Sequence, residues 1–485
     1  MNVRDLDPVV VWNHFEDLNA VPRPSKKEER IRKFMMDFGK NLGLETIEDG
    51  IGNVIIKKPA SAGMEDRETV ILQTHIDMVH QKNADTVFDF EAQGIQSYID
   101  GEWVKAKGTT LGADNGMGVA ATMAVLSSKD IAHPAIEALF TIDEETGMTG
   151  AKQLDGTKLS GAILLNLDTE DDDEFSVGCA GGIDTNTLYE YEEESIPDTY
   201  SVYKVELKGL KGGHSGMDIH LGRGNANLLM NRIIYEMMQD GDVRIVELDG
   251  GSLRNAIPRE SFGMLALPQK NIHLILDTFK GALKQIKSEY SGVEPDMTGS
   301  IAPADKQGKM VSKADMQVIT RVIYTTPNAV WKMSDKFEGL VETSSSLAKV
   351  IIKDGEFKTQ SLQRSMIESG KRDIANAIKC NYEQIGAEVV QGGDYPGWEP
   401  NPSSEILNVL KHNYEQMFKE EPKVEACHAG LECGILKEHL PNCDMISFGP
   451  TIRNPHSPDE KVNIRSVQKF WSFLQKVLED TPRKN

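Results

Sequence analysis

The chain has 485 residues and a formal net charge of -22, from 75 acidic and 53 basic residues, a balance that repels polyanions and excludes nucleic acid or an anionic membrane surface as a partner. A chain this long buries a large core without metal or disulfide staples, and Cys179, Cys380, Cys427, Cys433 and Cys443 are few, odd in number and outside any zinc-finger spacing, so no disulfide framework is expected. The amino terminus carries early acids and no apolar leader core, and no run of about 18 apolar residues occurs, which predicts a cytoplasmic protein.

Ser25 and Glu28 form a capping-box pattern ahead of Ile31, Phe34, Phe38 and Leu42 at helical spacing, predicting a helix from about residue 26 to 42. "GLETIEDGIGNVIIKKP" reads as strand, glycine turn and strand, and "TVILQTHIDMV" as a near-continuous apolar strand buried in a sheet covered on both faces. "GVAATMAVLSS" is a small-residue helix, and "PAIEALFTIDEE" is again a strand. Helices alternating with apolar strands through residue 168 predict an α/β layer with a largely parallel or mixed sheet. The acidic run from Glu170 to Glu174 reads as a solvated loop, with a patch beside an active site as the alternative. After "GCAGGID" the texture changes. Residues 187–392 mix strands such as "YSVYKVELKGL" with amphipathic helices such as "ANLLMNRIIYEMM", the pattern of an inserted α+β domain between segments 1–186 and 393–485. Long helices are expected again at 404–418 and 465–480.

Polar residues interrupt several strand ends. His75 and Asp77, two apart, share one face of an extended chain and sit where open α/β sheets hold ligands; a hydrogen-bonded core pair explains them equally well. Asp114 in "TTLGADNGMG", Glu144 and Glu145 in "LFTIDEETG" and Asp168 in "AILLNLDTE" follow at later strand ends. Singly, these read as a helix cap, a first-turn acidic pair and a turn residue. Together they gather several carboxylates and an imidazole at one sheet edge, where their repulsion calls for a cation. Nitrogen and oxygen donors without thiolates suit zinc, cobalt or manganese, and a bridging carboxylate suits two ions about 3.5 to 4 Å apart. A further imidazole is available from His456 in "SFGPTIRNPHSPDEK".

The order His75, Asp77, Asp114 before Asn115 and Gly116, Glu144-Glu145, Asp168 and late His456 resembles the co-catalytic zinc exopeptidase superfamily of aminoacylases, carboxypeptidases and dipeptidases. Within it, "GTTLGADNGMG", "GCAGGID", "LKGLKGGHSG", "GGSLRNAIPR", "HAGLECG" and "GPTIRNPHSPDE" resemble the aminoacyl-histidine dipeptidases, over nearly the whole chain. The resemblance implies a catalytic domain with a central mixed sheet flanked by helices, and an inserted lid and dimerisation domain. It implies that Asp114 bridges two divalent ions, most simply zinc, with His75 and Asp168 on one and Glu145 and His456 on the other. Asp77 then orients His75 through its far nitrogen, and Glu144 is the general base; an extended chain at Glu144 and Glu145 turns the two side chains apart. From the insert, His214 is implied as an oxyanion donor, and Asn255 and Arg364 as groups for the substrate's carboxylate or carbonyl. On its own, Arg364 reads equally as a solvent-exposed helix residue. Gly430 is implied to admit the substrate closely, with His428 and Glu432 either structural or pocket-lining. A cis peptide between Asp114 and Asn115 is implied as well. The implied activity is hydrolysis of aminoacyl-histidine and other unblocked dipeptides by a homodimer, although an insert of this length also allows an internal mimic of the partner. An amidase or deacylase of N-acyl amino acids and a non-catalytic metal-dependent binding protein are the alternatives.

Overall fold

The computed structural model describes residues 2–428 and 430–484; Ala429, inside "HAGLECG", lies outside them. Two compact units divide the chain. One comprises the segment ending at Cys179, Trp398–Ala426 and the segment from Leu431; the other comprises Ala180–Gly397 with Cys427, His428 and Gly430.

The first unit opens with helices α1 (Val9–Asn19) and α2 (Glu29–Asn41). The helix expected from residue 26 starts at Glu29 instead, because Lys26 turns the chain with a φ of 67° and both capping groups are engaged elsewhere. Glu28 Oε1 accepts from the Lys26 N–H at 2.7 Å, and Ser25 Oγ donates to Asp77 Oδ2 at 2.8 Å. Strands β1 (Glu45–Glu48) and β2 (Val54–Lys58) pair antiparallel around the glycine turn. Strand β3 (Val70–His75) is buried at every position, as expected of an apolar strand paired in parallel on both sides, with β4 (Ile136–Thr141) and β5 (Ile163–Asn166). Between β3 and β4 runs helix α3 (Ala113–Ser127). Its Gly118 lies so close to the chain after β5 that a Cβ there would come within 2.6 Å of the Leu167 carbonyl oxygen, so only glycine seats the helix. Before β6 (Glu174–Cys179), the acidic run is half-buried rather than solvated. Asp171 pairs with Arg453, Asp172 with Lys469 at 3.1 Å and Asp173 with Lys423 at 2.8 Å, so distant cations neutralise the like charges that suggested a loop in water.

The second unit contains β7 (Gly181–Glu190), β8 (Tyr200–Lys208), α4 (Ala226–Asp240), β9 (Arg244–Gly250), β10 (Ser261–Pro268), α5 (Ile272–Glu289), β11 (Thr298–Ala304), α6 (Lys313–Thr325), β12 (Ala329–Met333), β13 (Val341–Lys353), β14 (Glu356–Ser365), α7 (Glu368–Glu383) and β15 (Glu388–Tyr395). They build one nine-stranded sheet in the order β11-β8-β10-β9-β13-β14-β7-β15, with β12 on β13. The order resolves into two βαββαβ motifs of the same layout. One is β8-α4-β9-β10-α5-β11; the other, β7-α6-β13-β14-α7-β15, contains the first between its opening strand and helix. They join edge to edge where Leu248, Asp249 and Gly250 of β9 pair antiparallel with Ile352, Ile351 and Val350 of β13. Residues such as Ile233, Met237, Phe279, Ile319, Phe357 and Tyr382 pack helices of both motifs onto a shared core.

The chain then returns to the first unit with α8 (Glu405–Phe418), β16 (Lys423–Cys427), α9 (Glu432–His439), β17 (Asp444–Ser447) and α10 (Ile464–Glu479). The finished sheet has the order β1-β2-β4-β3-β5-β17-β6-β16, and β17 is parallel to β5. The result is the expected mixed sheet flanked by helices. Because β3, β4, β5 and β17 run the same way, their carboxyl ends share one edge, the usual place for a ligand in such sheets. Among the described residues no helix is long and apolar enough to cross a membrane.

Candidate active site

That shared edge carries the cluster. His75 ends β3, Asp114 begins α3, Glu144 and Glu145 follow β4, Asp168 follows β5, and His456 lies in the loop after β17. The two oxygens of Asp114 address different partners. Oδ1 is 3.1 Å from His75 Nε2, which is also 3.4 Å from Asp168 Oδ1. Oδ2 is 3.2 Å from His456 Nε2, which is also 2.9 Å from Glu145 Oε2. The peptide between Asp114 and Asn115 is cis, and Asn115 Nδ2 donates to the Leu167 carbonyl at 3.1 Å and to Asp168.

Charge shows what the cluster is built for. Burial opposes a charge on His75, yet Asp168, Asp114 and Asp77 hold its imidazole protonated well above the usual range; hydrogen bonds to Asp114 and Glu145 lift His456 to about 11. Burial raises the carboxyls of both Glu144 and Glu145, and Glu145 Oε1 is buried without a hydrogen-bond partner among the described residues. Imidazoles that take up protons at neutral pH, beside an orphaned carboxylate oxygen, mark a place for positive charge. Divalent cations fit it: imidazole nitrogens and carboxylate oxygens are their usual donors, and the atoms of His75, Asp114 and Glu145 lie within 4.8 Å of one another.

Around these residues the chain is fastened by buried polar groups. Asp77 Oδ1 is 3.3 Å from His75 Nδ1, close enough to orient the ring but off the line of a good hydrogen bond. The same carboxylate accepts from the backbone N–H groups of Glu144 at 3.0 Å and Glu145 at 3.3 Å. Those two glutamates open a helical turn, Glu144–Gly147, and not the extended segment expected. Their side chains diverge by the rotation between successive helical residues, while Asp77 holds the start of the turn. Glu460, which the sequence did not single out, accepts from the backbone N–H groups of Leu111, Gly112, Ala113 and Asp114 at 2.7, 2.9, 2.7 and 3.2 Å. Burial, with Asp114 nearby, pushes it up to about 7. Buried Arg23, also unforeseen, donates to the carbonyls of Asp77 at 3.0 Å and Gly112 at 2.6 Å, tying the end of β3 to the start of α3. Glu432 Oε2 accepts from Gln73 at 2.7 Å and Thr141 at 2.9 Å, linking β3 to β4. Glu170, at the head of the acidic run, is lifted to about 8 by burial and by Asp114 and Asp168, so that carboxylate belongs to the site's surroundings.

The sequence matches the profile of Peptidase family M20/M25/M40 over residues 71–480. The chain belongs to this family. It is 40% identical over 480 residues, 99% of each chain, to the cytosol non-specific dipeptidase of Escherichia coli (strain K12). Its structure superposes on crystalline aminoacylhistidine dipeptidase from Vibrio alginolyticus with a TM-score of 0.97 and 45% identity, covering 100% of this chain and 99% of that one. Aminopeptidase PepT from Bacillus cereus shares the fold at 17% identity and a TM-score of 0.57, with coverage of 98% and 99%. This M20 chain is thus a hydrolase of peptide bonds, on a mixed α/β fold.

The remaining predicted residues of this peptidase lie in its second unit. His214 Nδ1 accepts from the backbone N–H groups of Gly216 at 3.2 Å and Met217 at 3.0 Å, which places the ring proton on Nε2; burial, with Arg364 nearby, lowers its pKa and keeps it neutral. Asn255 is exposed, and its carbonyl accepts from the Ser215 N–H at 2.8 Å. Arg364 is not an exposed helix residue: it lies on β14, only 5% exposed, because the strand pairing turns it inward. His428 is buried, its Nε2 is 2.8 Å from Ser344 Oγ, and burial lowers it to about 3. What the missing side chain of Gly430 admits in the structure is the Tyr395 ring, 3.1 Å from where a Cβ would stand.

Proposed function

We propose that this M20 peptidase is a dipeptidase that cleaves unblocked dipeptides, aminoacyl-histidine among them. The observation that carries this reading is the two-sided Asp114, one oxygen toward His75 and Asp168 and the other toward His456 and Glu145, on a chain 40% and 45% identical to two named dipeptidases. Asp114 would bridge two cations, His75 and Asp168 completing one set of donors, Glu145 and His456 the other. When bound, two divalent ions, zinc first and cobalt or manganese as alternatives, supply the charge that acidifies a water and polarises the scissile carbonyl. Glu144 takes the water proton onto its carboxylate and passes it to the leaving nitrogen. Asp77 holds His75 and the Glu144 turn in place. The Nε2–H of His214, free to donate because Nδ1 is occupied by backbone N–H groups, serves the developing oxyanion. Asn255, Arg364 and Gly430 recognise the substrate, with His428 and Glu432 as lesser candidates. In the same reading, residues 187–392 act as lid and dimerisation domain of a cytoplasmic homodimer.

An assay of Ala-His against N-acetyl-histidine, before and after chelation, tests the activity. Cleavage of Ala-His that is abolished by chelator and restored by zinc is the expected result. Preferential cleavage of N-acetyl-histidine would replace the dipeptidase by an amidase.

A further inference from the structure

Arg364 is held in an unusual way. In the sheet of the second unit it stands opposite Ser344 of β13 on one side and Gly182 of β7 on the other, and Gly182 is in turn opposite Tyr395 of β15. This row crosses four adjacent strands. Gly182 contributes no side chain to it, and a Cβ there would fall 2.6 Å from the Tyr395 ring. The phenol therefore lies over Gly182 and reaches the guanidinium one strand further on: Arg364 Nη1 donates to Tyr395 Oη at 2.7 Å. The ring is also backed by Gly430, and its backbone carbonyl accepts from the buried Lys371 ammonium at 2.7 Å.

The opposite edge of the guanidinium is left open. Arg364 Nε is buried and has no hydrogen-bond partner among the described residues. A Cβ at Gly216 would stand 3.1 Å from Nε and 1.9 Å from the His428 carbonyl oxygen, so position 216 puts no side chain against that edge. A buried guanidinium nitrogen without an acceptor is costly. The paired N–H groups of Nε and Nη2 form the fork that a carboxylate accepts bidentately.

We propose that Tyr395 is a positioning residue for substrate recognition: by occupying Nη1 it fixes the Arg364 guanidinium so that its Nε and Nη2 edge meets the dipeptide's free carboxylate. The proposal rests on the reading of Arg364 as a substrate-carboxylate group. Tyr395 touches no reacting atom, so its loss acts on binding of the terminal carboxylate and not on bond cleavage.

The test is steady-state kinetics of zinc-loaded full-length Tyr395→Phe, Arg364→Met and the double variant, each on Ala-His and on alanyl-histidinamide, which lacks the carboxylate. Tyr395→Phe should raise KM for Ala-His about tenfold, the scale of one hydrogen bond to a charged group, with kcat within about twofold and KM for the amide unchanged. Because the phenol acts through Arg364, the double variant should be no worse than Arg364→Met alone. An unchanged KM in Tyr395→Phe, alongside a raised KM in Arg364→Met, overturns the proposal and leaves the role of Arg364 standing. An unchanged KM in Arg364→Met overturns that role itself. Equal losses on the acid and the amide mean a general structural defect and also overturn the proposal, as do independent effects that multiply in the double variant.

Discussion

In the first unit the ionisable side chains of the site face one another. His75 and Asp168 meet one oxygen of Asp114, His456 and Glu145 meet the other, and the surrounding carboxylates raise both imidazoles. The second unit holds its polar groups differently. Arg364 is anchored on Tyr395, His428 on Ser344, and His214 on the backbone N–H groups of Gly216 and Met217, with both histidines kept neutral. In the proposed reading cations from outside complete the first arrangement, whereas the second is held by protein contacts except at Arg364 Nε. Metal supply should therefore govern the first cluster, and side-chain geometry the second.

Asp114→Ala breaks this contrast most severely. Removing both bridging oxygens should lower activity by about 10⁴ or more, as when a whole catalytic unit is lost, and elemental analysis should show the metals gone. Retention of two metals per chain would refute the bridge. His214→Ala sharpens the contrast from the other unit: kcat should fall by about 10², the cost of one oxyanion donor, with metal content unchanged. Turnover at the wild-type rate would remove His214 from the chemistry. Asp77→Asn stands between them. It should cost about tenfold to a hundredfold in activity with a smaller loss of metal, since the carboxylate also holds the N–H groups of Glu144 and Glu145; a variant that loses metal in proportion to activity would mean that Asp77 acts on His75 alone.

The gathering of the candidate cluster was legible because strand-end residues carry their own signal. A polar side chain that ends a buried apolar strand needs a reason, and His75, Asp114, Glu145, Asp168 and His456 meet at one edge once the strands are parallel. The residues missed are those whose role depends on long-range placement. Arg23 and Glu460 each make several bonds to backbone groups of the site, and backbone partners leave no residue-type pattern to read. The same limit explains Glu28, whose side chain looks like a helix cap but bonds the Lys26 N–H once that residue adopts a positive φ. Arg364 was ambiguous because the alternation around it is mostly polar, "TQSLQRS", while every residue from Ser361 to Ser365 is buried. The duplicated motif was hidden by its own topology: one half is nested within the other, so no fixed sequence period results.

The smallest effect expected bears on the second unit and is read without any metal. Buried His428 is neutral in the folded chain, lowered to about 3, whereas an unfolded imidazole titrates near 6.5. The unfolded state thus binds the extra proton first as pH falls. The stability held above about pH 6.5 is lost progressively down to about pH 3, and at pH 5 the loss is about 2 kcal/mol. Other groups titrate in the same range, so the informative quantity is the difference between wild type and His428→Gln, which has no proton to gain. Urea unfolding at pH 7 and pH 5, both with chelator, should show wild type losing about 2 kcal/mol more than the variant. Equal losses would mean that His428 accepts a proton in the folded state, and that the neutral surroundings assigned to the second unit do not extend to it.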